Sequence, residues 1–322
     1  MPRHPNKPNQ IVVVDQLVKR YKKASVNAVN GVSFYVEKGS FFALLGPNGA
    51  GKTTIISILT STLAKTSGTA TVAGHEVGDD PLGVRKNIGV IFQNPSLDEN
   101  LTAEENVRFH VSLYGLYTYR PAFRFMPQEY RRKARDLAEV LGIQEQLFDP
   151  VKSLSGGMKR KLEIVRSLMH SPKVLFLDEP TTGLDPISRN NLWQYLQGIR
   201  QREKVTIFLT THYLEEAESA DYVCMINHGR IVAQGTPRQV KEELVESYLE
   251  LDADDRRRLE SELNHHSLRF DGRGPFRLPL QNGSAQSIIS RVKTPLTVLS
   301  IHDPTLEEAY LKIIGNSSQP VS

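Results

Sequence analysis

Along the first 215 residues the apolar positions gather into four short runs without polar alternation. FFALL covers Phe41 to Leu45, IGVIF Ile88 to Phe92, VLFL Val174 to Leu177, and VTIFL Val205 to Leu209. Runs of this length and uniformity suit strands buried on both faces. Stretches of helical periodicity separate them, which predicts an α/β fold around a parallel sheet. In such sheets ligands gather beyond the carboxyl ends of the strands. The four runs lead into Gly46, into Gln93, into Asp178 and Glu179, and through two threonines into His212. One polar strand ending would be ordinary. Four endings of this chemistry point to a site.

A helical pattern starts at Leu154, in LSGGMKRKLEI, where Met158, Leu162, Val165 and Met169 recur at helical spacing behind a potential N-cap, Ser155. Gly156 and Gly157 are poor helix formers. They read either as a place where an anion approaches bare N–H groups or as a plain glycine-containing helix entry. In DENLTAEENVRF, Thr102 with Glu105 predicts a capping box, with helices continuing to Gly142.

Composition narrows the class. At 322 residues, 39% hydrophobic and 24% charged, the chain can bury one large core and a small one. A net charge of +4 fits an anionic ligand or an inner membrane surface but is too weak to argue for nucleic acid. The single cysteine, Cys224, lies in the apolar string YVCMI, so a buried, inert thiol in a reducing cytoplasm is expected. No apolar stretch approaches the roughly 20 residues of a membrane span. The start, MPRHPNKPNQ, lacks the apolar centre of a signal peptide and reads as a flexible polar tail over residues 1–9. Work at a membrane would need another chain to do the spanning.

The first strand ending carries the most specific signal. Gly46, Pro47, Asn48, Gly49, Ala50, Gly51, Lys52 and Thr53 match G-x-x-x-x-G-K-[ST], and Thr54 opens the helix-like TIISIL. Glycines permit a tight turn whose N–H groups wrap phosphate oxygens, Lys52 reaches the terminal phosphates, and the Thr53 hydroxyl ligates Mg2+. Asp178, at the end of VLFL, occupies the position of a residue that helps hold Mg2+. Glu179 can polarise an attacking water, assistance typically worth about 10² to 10⁴ in rate.

With the P-loop, LSGGM and LFLDEP in that order, the chain resembles the nucleotide-binding subunits of ATP-binding cassette (ABC) transporters from about Ile11 to Pro237. Within them it looks most like the ABC-2, drug-resistance exporter ATPases, on the strings IGVIFQNPSLDENLTAEEN, LSGGMKRKLE, VLFLDEPTTGLDP and THYLEEAE. The resemblance implies a P-loop NTPase core with a helical subdomain at about residues 94–170, the whole nucleotide-binding domain covering 10–237. It implies ATP and Mg2+, and a head-to-tail homodimer in which Ser155, Gly156 and Gly157 contact the γ-phosphate held by the partner's P-loop. It assigns Tyr21 to adenine stacking, Gly46 through Thr54 to the phosphates, and Thr53, Gln93 and Asp178 to Mg2+. Glu179 becomes the catalytic base, His212 the γ-phosphate switch, and Asp185 the D-loop residue at the dimer interface. The implied partner is an integral membrane permease that holds the protein peripherally at the cytoplasmic face of the cell membrane, with no nucleic acid expected. Met158 departs from the glutamine common in other members but is familiar among ABC-2 exporters. Every expected catalytic residue is present, so a competent site is expected.

Three regions carry less. YGLYTYRPAFRFMPQEYRRKARD interleaves Tyr, Phe and Arg, which fits an elongated loop with a solvated basic helix, a docking surface for the permease, or a surface for lipid headgroups or nucleic acid. Residues 238–263 have helical periodicity and mixed charge, predicting a linker helix or a pair of them. Residues 264–322 carry apolar patches and a final helix at PTLEEAYLKIIG, expected as a small C-terminal α+β element. An ABC ATPase acting on DNA or ribosomes is the alternative, but the chain lacks a long coiled-coil insertion and has one cassette. A P-loop GTPase would need Asn-Lys-x-Asp, which is absent. Nothing in the sequence names the cargo.

Overall fold

The computed structural model describes residues 9–93, 96–182, 184–244, 246–280 and 285–317. The tail expected over residues 1–9 thus lies outside the described residues, apart from Asn9. Chain contacts divide into two compact units, Met1–Gln234 and Gly235–Ser322.

In chain order the first unit has strands β1 (Gln10–Lys19), β2 (Val29–Glu37), β3 (Phe41–Leu45), β4 (Ser67–Val72), β5 (His75–Glu76), β6 (Ile88–Ile91), β7 (Val174–Asp178), β8 (Thr206–Thr211), β9 (Tyr222–Asn227) and β10 (Arg230–Gly235). They make a four-stranded sheet ordered β2-β1-β4-β5 and a six-stranded sheet ordered β10-β9-β3-β8-β7-β6. The pairs β3–β8, β3–β9, β7–β8 and β6–β7 are parallel. All four apolar runs therefore sit in one sheet, and β3 and β7 are buried at every position. Its register sets Asp178 beside Thr210 and Leu45 beside Thr211, which aligns the carboxyl ends. Beneath them Phe34, Phe42, Phe176 and Phe208 pack with centroids 4.9–6.0 Å apart, the close aromatic contact that makes a core stiff.

Helices fill the intervals: α1 (Lys52–Leu59), α2 (Pro81–Asn87), α3 (Ala103–Leu113), α4 (Gln128–Val140), α5 (Gly156–Leu168), α6 (Pro186–Glu203) and α7 (Leu214–Ala217). The capping box forms at α3: Thr102 Oγ1 accepts from the Glu105 amide, and the Glu105 carboxylate accepts from the Thr102 amide. Helices α3 and α4 both pack on α5, within the range expected as a helical subdomain. The Tyr/Phe/Arg stretch runs from the end of α3 into α4, and its rings divide between the interior and the surface. Tyr130 is fully buried with Tyr117 and Phe123 edge-on to it, and Phe123 also meets Phe148. Tyr119 and Phe125 remain exposed.

In the second unit α8 (Pro237–Leu244) precedes β11 (Tyr248–Asp252), α9 (Arg256–His265), β12 (Phe276–Pro279), α10 (Ala285–Ile289), β13 (Val298–His302) and α11 (Leu306–Ser317). The sheet order is β12-β11-β13, antiparallel throughout. Residues 248–252 thus form the central strand of this sheet, inside the segment expected as linker helix. YLELD alternates, with Leu249 and Leu251 facing a core of Leu259, Leu263, Phe276 and Leu278. Period-2 burial wins over the charged, helix-like composition around it. Among the described residues no helix is long and apolar enough to cross a membrane.

Candidate functional site

The P-loop joins β3 to α1, and its glycines are required by their neighbours. A Cβ on Gly46 would lie 2.3 Å from the Ile226 carbonyl oxygen. Gly51 caps α1 at φ +110°, where a Cβ would meet the Ala28 oxygen at 2.5 Å. Neither position accepts a side chain without moving backbone. Lys52 is only 4% exposed, and its ammonium donates to the Gly46 and Pro47 carbonyls at 2.8 and 3.2 Å. It also faces Glu179 Oε1 at 3.3 Å.

The ends of β6, β7 and β8 converge on the same place. Asp178 Oδ1 accepts from Thr210 Oγ1 at 2.5 Å and from Thr53 Oγ1 at 3.4 Å. The carboxylate of Glu179, 8% exposed as a residue, is ringed by donors. Gln93 Nε2 lies 3.5 Å and Thr182 Oγ1 3.4 Å from its Oε2, and His212 Nδ1 lies 3.3 Å from that oxygen. The His212 contact is a short approach rather than an aligned hydrogen bond, because that nitrogen has no partner by hydrogen-bond geometry. Glu179 itself sits at φ +47°, a sparsely populated conformation for a residue with a Cβ. Such positions cluster at active sites.

Tyr21 lies apart, 45% exposed, on a cleft of about 690 Å3 that also has Gly49 in its wall. Its hydroxyl is 3.2 Å from Thr54 Oγ1 and its ring lies 5.4 Å from the Lys19 ammonium. Ser155 caps α5 and accepts from the Met158 amide at 3.3 Å. Ser155 and Gly157 line a cavity of about 90 Å3 shared with Leu184, Ser188 and Asn191, and no P-loop residue lines it. Asp185 is the exposed N-cap of α6, its Oδ1 accepting from the Ile187 and Ser188 amides at 3.0 Å each. Its hydrogen bonds with the Ser188 side chain and amide hold the carboxyl below the usual aspartate range.

The sequence-predicted residues therefore fall into three places. Lys52, Thr53, Gln93, Asp178, Glu179 and His212 come together. Tyr21 and Thr54 adjoin along the cleft, and Ser155, Gly156, Gly157 and Asp185 face elsewhere. Thr210 and Thr182 were not anticipated. Their contacts with the carboxylates depend on strand register and on the tight turn after Pro180, which a linear string does not display.

The family profile for ABC transporters matches residues 29–182. The chain is 36% identical to the daunorubicin/doxorubicin resistance ATP-binding protein DrrA of Streptomyces peucetius, across 96% of this chain and 94% of that protein. It is 35% identical to the Nod factor export ATP-binding protein I of Burkholderia thailandensis, across 94% and 97%. A solved ATP-binding subunit of an ABC transporter superposes with TM-score 0.63 at 29% identity, across 72% of this chain and 92% of that one. The dimeric structure of MJ0796, a bacterial ABC transporter cassette, gives 0.61 at 25% identity, across 70% and 98%.

Proposed function

The chain belongs to the ABC transporter family, among the ATP-binding proteins of its drug-resistance and Nod factor exporters, and we propose that it powers export through a separate ABC-2 type membrane permease. It binds and hydrolyses ATP. In this reading two copies pair head to tail at the inner face of the cell membrane, each held there by the permease. One ATP then lies between the P-loop of one copy and Ser155, Gly156 and Gly157 of the other. Tyr21 stacks on the adenine, and Asp185 works at the seam between copies.

One observation carries the reading. Lys52, Gln93, Asp178, Glu179 and His212 arrive from four different strand ends at a single point, while the second glycine-rich helix start lines a cavity to which none of these five contributes. A cradle and a spare helix start on one chain make sense when a second copy completes the site.

The roles follow from the chemistry. P-loop N–H groups and Lys52 neutralise phosphate charge that grows during transfer. Glu179 accepts the proton of the attacking water as its oxygen bonds to the γ-phosphorus and the bond to the ADP oxygen breaks. His212 and Gln93 both lie against Glu179 Oε2 and so restrict how that carboxylate can turn. The donors Thr53, Asp178 and Gln93 offer only oxygens toward a metal, which suits Mg2+. When bound there, Mg2+ neutralises the β- and γ-phosphate oxygens.

The test uses Glu179→Gln as a trap. Tagged and expressed in its native cell, it is solubilised with ATP and Mg2+, and the material that co-purifies is identified. A polytopic membrane protein is expected. Ribosomes or nucleic acid without a membrane protein would overturn the export reading. Lys52→Ala, assayed in parallel, is expected to lose tight nucleotide binding.

A further inference from the structure

Arg160 stands five residues into the helix-start string that begins at Ser155, yet its guanidinium is directed at the other site. It is 5% exposed and donates in three directions. Nε reaches the Pro180 carbonyl at 2.8 Å and Nη2 the Glu179 carbonyl at 3.3 Å. Nη1 reaches the Phe92 carbonyl at 2.5 Å and Glu163 Oε2 at 2.9 Å. Glu163, itself 1% exposed, uses Oε1 to accept from the Ser96 amide at 2.9 Å. One turn further on, Arg166 donates to Ser96 O and Oγ at 2.6 Å each. Residues 160, 163 and 166 share one helix face. That face grips the chain on both sides of Gln93, at Phe92 and Ser96, and the backbone on which Glu179 is mounted.

Glu179 gains from being held because its φ of +47° lies in a region that residues with a Cβ adopt uncommonly. Its amide donates to the Thr210 carbonyl at 3.0 Å on one side. On the other, Arg160 fixes its carbonyl and the next one. A planar fork is required for this. Lysine keeps the charge but is a point donor, and it cannot reach Phe92, Pro180 and Glu163 at once.

We propose that Arg160 is a positioning residue that ties α5, and with it the helix start at Ser155–Gly157, to Glu179 and Gln93 of the same chain. This rests on Glu179 being the base and on the helix start serving the partner's ATP. Since α5 then works on the partner's ATP while Glu179 and Gln93 work on their own, Arg160 links the two ATP sites through each chain. Occupancy of one site biases the alignment of the carboxylate at the other.

The experiment uses the full-length protein. Arg160→Lys is compared with wild type for circular dichroism, affinity for a non-hydrolysable ATP analogue, kcat, KM and the Hill coefficient of ATP hydrolysis. The expected result is a folded protein that binds the analogue within about threefold of wild type, with kcat at least tenfold lower and the Hill coefficient reduced toward 1. A wild-type kcat and Hill coefficient would overturn the proposal. So would parallel losses of stability, analogue binding and kcat with the Hill coefficient unchanged, the mark of a brace that only supports the fold. If Arg160→Lys does not fold, Glu163→Gln decides, since it leaves the Phe92, Glu179 and Pro180 carbonyl contacts of Arg160 in place and weakens the carboxylate that joins Arg160 to the Ser96 amide. At least a threefold loss of kcat with unchanged analogue binding supports the link, and an unchanged kcat refutes it. Glu179→Gln separates the two layers. If that variant turns over briskly the base assignment fails. If it is inactive while Arg160→Lys behaves as wild type, only the link fails.

Discussion

Tyr130→Phe is a change of one oxygen atom whose cost can be worked from the structure. Tyr130 is fully buried and its hydroxyl donates to Glu104 Oε1 at 2.9 Å. Glu104, 2% exposed, meets Arg108 at 3.2 Å through Oε2, and Arg108 donates to the Arg120 carbonyl at 2.8 Å. The triad pins α3 to α4 and to the aromatic stretch between them. Phenylalanine fills the same space, so no cavity term enters, and the loss is one hydrogen bond to a buried carboxylate. Such bonds are worth about 1.5–3 kcal/mol, and the upper half applies because no water can replace the donor. Urea unfolding should show a midpoint shift of about 2.5 kcal/mol equivalent at pH 7.5, with the slope unchanged. Burial holds the Glu104 carboxyl above its ordinary range, while the Tyr130 bond and Arg108 act to lower it. Between its unfolded and folded pKa the native state keeps a proton that the unfolded chain has lost, so stability falls as pH rises through that window. Removing the hydroxyl raises the folded pKa further. The variant's deficit should therefore shrink as the solution is taken toward pH 5. A deficit below about 0.5 kcal/mol at pH 7.5, or one that grows toward acid, would refute this account of the triad.

Two further outcomes follow from other buried groups. Burial and the nearby Arg166 and His170 charges press His110 down to about 3, so between that value and its ordinary 6.5 the unfolded chain takes up a proton that the native chain refuses. Stability should fall with decreasing pH across that window with a contribution of up to about 1.4 kcal/mol per unit, and His110→Phe should flatten the slope; an identical slope in the variant would contradict it. Thr210→Val removes the hydroxyl that steadies Asp178. Loss of an outer partner of this kind costs about 10- to 100-fold in metal affinity, so the Mg2+ concentration for half-maximal ATPase should rise by that order, and an unchanged Mg2+ curve would show that Asp178 is held adequately without it.

Much of the site was legible because its residues stand where periodic strings stop. Four short, uniform apolar runs suit buried strands, and ligands gather beyond the carboxyl ends of parallel strands, so Gly46, Gln93, Asp178 and His212 could be grouped from the sequence. Thr102 with Glu105 was readable for a local reason, since a capping box is complete within four residues. Arg160, Thr182 and Thr210 were not readable. Their partners lie 3 to 68 residues away in sequence, and what joins them is strand register and helix face. YLELD was misjudged for a related reason. Five alternating residues inside a charged, helix-like string declare themselves as a strand only when β12 and β13 arrive to pair with them. The Tyr/Phe/Arg stretch was ambiguous because composition does not say which way a ring faces. Tyr130 is buried, Phe123 packs half-buried against it, and Phe125 faces solvent.

An ATP site completed by a second copy is tested most directly by sedimentation of Glu179→Gln. The variant should sediment as a monomer without nucleotide and as a dimer with ATP and Mg2+. Adding Ser155→Arg should leave ATP binding within a few-fold and keep the protein monomeric, because the bulky cation closes the helix start to the partner's phosphate. An ATP-dependent dimer that survives Ser155→Arg, with hydrolysis intact when Glu179 is restored, would contradict the composite site.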